Sequence, residues 1–369
     1  MQIDFHHGVT YCVARIAGFD RERAAIIAYA AQYVDDAVAA GPVKLDNGMV
    51  FNRVNSAHKT LDYRNFEQLA NQRVWVPFHF LPGNHGLPAG QSPPGIDRSI
   101  CRPNSHVAQD MLRECIRTQQ APHALQRLGI SMHVYADTWA HQGFTGINHK
   151  INRASDLLDE QGQLDQGKQK RIQQFYEKSI GEQLIDQVTG LFVSEVLPLG
   201  HGAVLSYPDK PFLKWGYTNG LGEVVQRNNP TDFLAAAEHM CQWLQRYLVG
   251  NSDVAVPGLP VVDRATIADL LANIQDWESA TRHDKWCKAI QAGKFSFGAE
   301  DCSYSLIGSG AWVTEAFGVE DPRFDDPRYR HPYLPNFLTS NWKLFHDALL
   351  AHQSFVMEEL LPRYQIILN

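Results

Sequence analysis

The segment ISMHVYADTWAHQGF carries the strongest chemical signal in the chain, with His133, Asp137 and His141 at i, i+4 and i+8. On an α-helix each step of four residues turns the side chain by only about 40°, so all three project from one face. Imidazole and carboxylate are the usual ligands of zinc and related divalent ions. The neighbours Ile130, Val134, Tyr135, Ala136, Trp139 and Ala140 predict that this helix is buried. A buried row of His, Asp and His must be satisfied, either by core hydrogen bonds or by a metal ion. Three potential ligands at this spacing favour the metal.

Other segments offer further donors. QYVDDA sets Asp35 and Asp36 near the end of a predicted helix. Carboxylates there oppose the helix dipole by roughly 0.3–1 kcal/mol each, and a nearby cation would offset that cost. Asp35 is read as a ligand and as a group that could orient water; Asp36 is read as a solvated helix end. DFHH places Asp4, His6 and His7 at the start of a helix. One of the two histidines is expected to face the interior, and His6, beside Asp4 and Phe5, is preferred. Asp4 stands at the helix start, where an anionic side chain is welcome. His79 lies in the apolar run VPFHFLPG and needs a partner, and His201 and Asp209 lie in PLGHGAVLSYPDKP. His58 and His149 are weaker loop candidates. Ten of the 16 histidines fall within the first 149 residues, so several can reach a single site.

Two doublets, His283-Asp284 and His346-Asp347, resemble the paired ligands of HD-type phosphohydrolases. Both sit in amphipathic helical sequence, where charged neighbours are ordinary, as does His352. No GxSxG elbow, Walker loop, GxGxxG or HExxH is present, which leaves serine-lipase and nucleotide-cofactor chemistry unsupported.

The elements that must position these residues read as helices joined by irregular loops. Residues 5–17 predict a first helix closed by Gly18. Asp20 can N-cap a second, alanine-rich helix that stops at Gly41-Pro42. Residues 43–105 predict a short strand or two among long loops. Helix resumes near Val107 and from about Pro122 to Gln142, and residues 152–195 also look helical. Residues 197–230 read as loop. Thr231 can cap a helix to about Leu248, a VAVPGLPVV joint follows, and the last helix starts after Ser340. The expected fold is mainly α: a single multi-helix domain over 1–369 with at most a few short strands. The alternative division is a metal-binding core at 1–250 and a helical extension at 260–369.

The composition fits that fold. Of 369 residues, 44% are hydrophobic and 20% charged, a globular profile. A net charge of −7 gives no electrostatic footprint for nucleic acid. The N-terminal sequence lacks a Sec-type signal pattern, and no apolar run is long enough to span a bilayer. The expected location is the cytoplasm, or outside the cell by a signal-independent route. Six scattered cysteines do not make a disulfide scaffold; Cys101 and Cys302 are the pair expected if one forms.

DFHHGVTY, IIAYAAQYVDD, VPFHFLPGN, MHVYADTWAHQGF and GHGAVLSYPD occur in that order. Together they resemble the bacterial and fungal zinc metallophospholipase C family, the Pseudomonas-type phospholipases C, over roughly residues 3–215. FHDALLAHQSFV extends the likeness loosely. That family is distantly similar to the prototype bacterial zinc phospholipase C and to fungal single-strand nucleases. The resemblance implies an all-helical architecture and one to three zinc ions. It implies His6, Asp35, His79, His133, Asp137, His141, His201 and Asp209 as ligands, Asp4 as a further ligand or an orienting group, and Asp35 or Asp4 orienting water. It further implies hydrolysis of phospholipids at a membrane surface. A nuclease, a nucleotide phosphohydrolase and a helical module with a structural metal are the alternatives. Trp75, Phe78, Phe80 and Leu81 are expected in the core or, alternatively, against lipid.

Overall fold

The structure, a computed structural model, describes residues 1–57, 68–167, 170–171, 202–320, 326 and 328–367. The N-terminal sequence forms a π-helical turn, Asp4–Val9, that runs into α1 (Thr10–Ala17). Gly18 ends it with φ 112°, a backbone region that costs glycine little. The Asp20 carboxylate then accepts the Arg23 N–H at 2.8 Å and opens α2 (Arg21–Asp36), a cap worth about 1 kcal/mol. This helix ends at Asp36, short of the expected Gly41-Pro42, because the chain turns there into a hairpin of β1 (Gly41–Lys44) and β2 (Val50–Arg53).

The aromatic run that reads as strand and loop is instead the end of a helix, α3 (Gln68–Phe78). Pro77 has no N–H to give the carbonyl four residues back. That carbonyl, of Arg73, accepts the Gln353 side-chain amide at 2.7 Å. Ser105 caps α4 (His106–Arg117), and α5 (Ala124–Ala140) carries the central motif. Strands β3 (Ala154–Leu158), β4 (Lys214–Asn219) and β5 (Val224–Asn228) form an antiparallel sheet in that order. Residues 154–158 are therefore strand where helix was expected; 172–201 lie outside the described residues.

Asn228, rather than Thr231, caps α6 (Asn229–Val249). The helices α7 (Val261–Asn273), α8 (Ser279–Gln291), α9 (Trp312–Phe317) and α10 (Asn341–Ser354) follow, and Ser340 caps the last as expected. Among the described residues the fold is mainly α with two small sheets. Its largest apolar core draws on residues from Met1 to Ile366. Among the described residues no helix is long and apolar enough to cross a membrane. All six cysteines are free, and Cys302 lies beside Cys287 rather than Cys101.

Two contacts govern the site. The alanine-rich α2 crosses α5 at Gly129, where an added Cβ would stand 2.4 Å from the Ile27 carbonyl oxygen. The π turn packs against α8, so that Asp4 and Arg282 meet inside the protein.

Candidate metal centre

The π turn, α2, the residue after α3 and α5 converge on one carboxylate. Asp137 is 1% exposed. Its oxygens lie 3.3 Å from His6 Nε2, 3.3 Å from His133 Nε2, 3.4 Å from His79 Nδ1 and 3.5 Å from His141 Nδ1. The Met1 amine also contacts Asp137 and sits 3.3 Å from Asp209 Oδ1. Asp209, in the turn Tyr207–Asp209, is 3.1 Å from His141 Nε2. Asp35, in the last turn of α2, lies 3.9 Å from both His79 Nδ1 and His133 Nε2 and 4.0 Å from His6 Nε2. Residues from five separate segments thus meet: His6, Asp35, His79, His133, Asp137, His141 and Asp209. His201 and His58 lie outside the described residues.

The ring orientations set which atoms face the cluster. His133 Nδ1 is 2.8 Å from the Ala31 carbonyl, His79 Nε2 is 2.9 Å from that of Ser56, and His141 Nδ1 is 2.7 Å from that of His79. A carbonyl oxygen only accepts, so each of these nitrogens carries the proton. In the neutral ring the other nitrogen then presents a lone pair to the cluster. His133 Nε2 and His79 Nδ1 stand 3.2 Å apart in this way. His6 stacks on His133 with ring centroids 3.7 Å apart, and neither of its buried nitrogens makes a hydrogen bond. Lone pairs gathered around carboxylates repel unless positive charge lies among them, and the Met1 amine supplies one such charge beside Asp137 and Asp209. A divalent cation fits this donor set, and backbone carbonyls holding the distal imidazole nitrogens are the usual outer support of such a site.

The electrostatics agree. Burial, opposed by Asp137, lowers His133 to about 4. Burial, with neighbouring His133 and the Met1 amine, holds His6 well below its ordinary value. Both rings are therefore neutral near pH 7, the form that binds metal. Burial would raise Asp137, but His141, the Met1 amine, His133 and His6 outweigh it and keep the carboxyl well below the usual range. Burial also disfavours charge on the Met1 amine, yet Asp137, Asp209 and Asp35 raise it to about 11. Asp35 is pushed well above the usual range by desolvation and by its acidic neighbours, with the Met1 amine opposing.

Asp35 also marks the way in. Its side chain is 31% exposed and opens onto a cleft of about 540 Å³ whose lining includes Gln2, Gln32, Asp36, Ser279, Tyr304 and Leu306. Asp36 is not a bare helix end: it accepts the Tyr304 hydroxyl at 2.6 Å and the Gln32 amide at 3.0 Å. Leu306, 42% exposed, lines the mouth, and its chain neighbour Ile307 is 64% exposed.

Several sequence-derived candidates fall elsewhere. Asp4 is not turned toward the histidines. Its two oxygens accept from Arg282 at 2.7 and 3.0 Å, and both side chains are buried. The pair holds the π turn that carries His6. Asp4→Ala is therefore expected to cost about 3–5 kcal/mol by leaving Arg282 buried and unpaired, while zinc binding by folded molecules is unchanged. Urea titration with metal analysis of the folded fraction checks this; metal loss at unchanged stability would return Asp4 to the ligand set. Both His6 and His7 are buried, although one was expected to face out; they point to different helices.

The HD-like doublets are not joined to the centre either. His346 Nδ1 lies 3.0 Å from the Val54 carbonyl, and Asp347 pairs with Lys343. His352 Nε2 meets the Pro77 carbonyl at 3.0 Å, and Asp284 pairs with Lys288. His149 Nδ1 accepts the Ile151 N–H. Phe78, Phe80 and Leu81 are core residues, not a rim.

The described residues define a mainly helical protein with a buried His/Asp cluster that opens onto a cleft. Over residues 1–360 the chain matches the family described as a family of unknown function (DUF6765), and it belongs to that family. Comparison with curated proteins and with solved structures gives no match.

Proposed function

We propose that this protein is a metal-dependent phosphodiester hydrolase whose substrates are glycerophospholipids, cleaved to diacylglycerol and a phosphorylated head group. One observation carries the reading. Three imidazoles, each locked by a backbone carbonyl, turn their lone pairs into a carboxylate cluster that solvent reaches at Asp35. His6, Asp35, His79, His133, Asp137, His141 and Asp209 would hold one to three ions, and their donor types suit zinc. Bound zinc supplies Lewis acidity to the phosphoryl group and lowers the pKa of water toward about 7.

The remaining work falls to the chain. Asp35, at the rim of the cluster, orients the attacking water and takes its proton. Asp36, fixed by Tyr304 and Gln32, leaves negative charge on the cleft wall. That charge favours a cationic head group and disfavours polyanionic nucleic acid. Leu306 and Ile307 offer apolar contact to a lipid surface. The ordered motifs that resemble those of zinc metallophospholipases C support the same reading, and an architecture like theirs is part of the proposal.

Diacylglycerol release from mixed phospholipid vesicles tests it, with a soluble chromogenic choline phosphodiester and single-stranded DNA run beside it. Chelator-sensitive release of diacylglycerol is the expected result. Cleavage of DNA alone would move the substrate class to nucleic acid. Unfolding by chelator without any hydrolysis would make the metal structural. The double substitution Leu306→Ser, Ile307→Ser is expected to slow vesicle hydrolysis about 10-fold, since each buried methylene is worth about 0.8 kcal/mol. It should leave the soluble substrate unaffected; an equal loss on both would remove these residues from the lipid contact.

A further inference from the structure

On the other side of the π turn from the His/Asp cluster lies a second group of donors that the proposed hydrolysis does not use. His7 Nδ1 is 2.8 Å from His283 Nε2. Cys287 Sγ is 3.5 Å from the same His283 nitrogen, and Cys302 Sγ is 3.6 Å from His7 Nδ1. The donor atoms of His7, Cys287 and Cys302 all lie within 4.8 Å of one another. His7 is buried, while His283, Cys287 and Cys302 are partly exposed at the protein edge. His283 and Cys287 stand at i and i+4 on α8, so one helix face supplies two donors. The π turn supplies the third and the loop after α8 the fourth.

Two sulfurs and two imidazole nitrogens are the donor set of a closed tetrahedral zinc site. Zinc–nitrogen bonds of about 2.0–2.1 Å and zinc–sulfur bonds of about 2.3 Å, at tetrahedral angles, place nitrogen and sulfur about 3.6 Å apart. The two nitrogen–sulfur distances observed here match that spacing, while the two nitrogens, 2.8 Å apart in a direct hydrogen bond, must part by about 0.5 Å to reach the roughly 3.3 Å that tetrahedral ligation sets.

We propose that His7, His283, Cys287 and Cys302 form a second, structural zinc site, separate from the His/Asp centre. With four protein ligands it has no open position for water, so it binds and does not catalyse. Its role is mechanical. It ties the π turn that carries His6 to α8 and to the loop that leads to Tyr304 and Leu306 on the cleft wall. The inference does not depend on the hydrolase reading.

Cobalt(II) reconstitution of the reduced, metal-free full chain tests it. Thiolate ligation produces a sulfur-to-cobalt charge-transfer band in the near ultraviolet, which a His/Asp site does not give. The band is expected in the wild type, retained in Asp137→Ala and absent in the Cys287→Ser, Cys302→Ser double variant. That variant should also bind one zinc fewer per chain. Zinc should protect Cys287 and Cys302 of the wild type from alkylation, a readout that needs no variant. Absence of the band from reduced wild type, or its persistence in the double variant, overturns the proposal. So does a Cys287–Cys302 disulfide whose reduction yields thiols that zinc fails to protect.

Discussion

Asp137→Ala is expected to strip the His/Asp centre of metal and to lower phosphodiester hydrolysis by at least about 100-fold. Loss of an outer partner at a metal site costs roughly 10–100-fold in affinity or activity, and Asp137 stands closer in than that. Among the described residues it is the one whose oxygens approach His6, His79, His133 and His141 together. Its removal takes away the charge around which the imidazoles are arranged. Metal content per folded chain and hydrolysis of the soluble choline phosphodiester would be measured together, with circular dichroism to confirm folding. Retained metal and activity would remove Asp137 from the centre and with it the reading of the whole cluster. Metal loss confined to this site, with the cobalt–thiolate band intact, would separate the two sites cleanly.

Much of this cluster is legible in the sequence for a definite reason. A period of four on a buried helix is a local property, so His133, Asp137 and His141 can be read together before any tertiary contact is known. Asp35 and His79 are legible because each is a polar group in a place that penalises it, a helix end and an apolar run. Asp4 misleads because its partner, Arg282, is 278 residues away; an N-terminal carboxylate beside two histidines gives no local sign of a distant guanidinium. The Cys/His group is hidden for the same reason. His283 and Cys287 do have helical spacing, but His283-Asp284 reads more readily as a doublet, and Cys302 and His7 join only through the fold. The aromatic run before His79 reads as strand because Pro77 signals a break. The structure keeps it helical by giving the orphaned Arg73 carbonyl to Gln353.

Gly129 links that helical framework to the chemistry, and substitution there gives the sharpest test of the fold. Replacing a glycine inside an exposed helix with alanine ordinarily gains about 1 kcal/mol. At Gly129 the sign is expected to reverse. An added Cβ would lie 2.4 Å from the Ile27 carbonyl oxygen, 2.6 Å from the Ala30 Cβ and 3.2 Å from the Ala31 nitrogen. These are mostly backbone atoms of α2, so they cannot swing aside, and the two helices must part. Gly129→Val is expected to cost about 3 kcal/mol or more, at the upper end of overpacking, and Gly129→Ala less. Parting the helices also lengthens the bond from His133 Nδ1 to the Ala31 carbonyl and carries Asp35 away from the rings it faces. Metal affinity should therefore fall with stability, by about 10–100-fold. Denaturant titration and zinc competition measure the two effects on the same samples. A stabilising Gly129→Ala would refute the close crossing of α2 and α5. Lost stability with unchanged metal affinity would show that the crossing supports the core without setting the geometry of the centre.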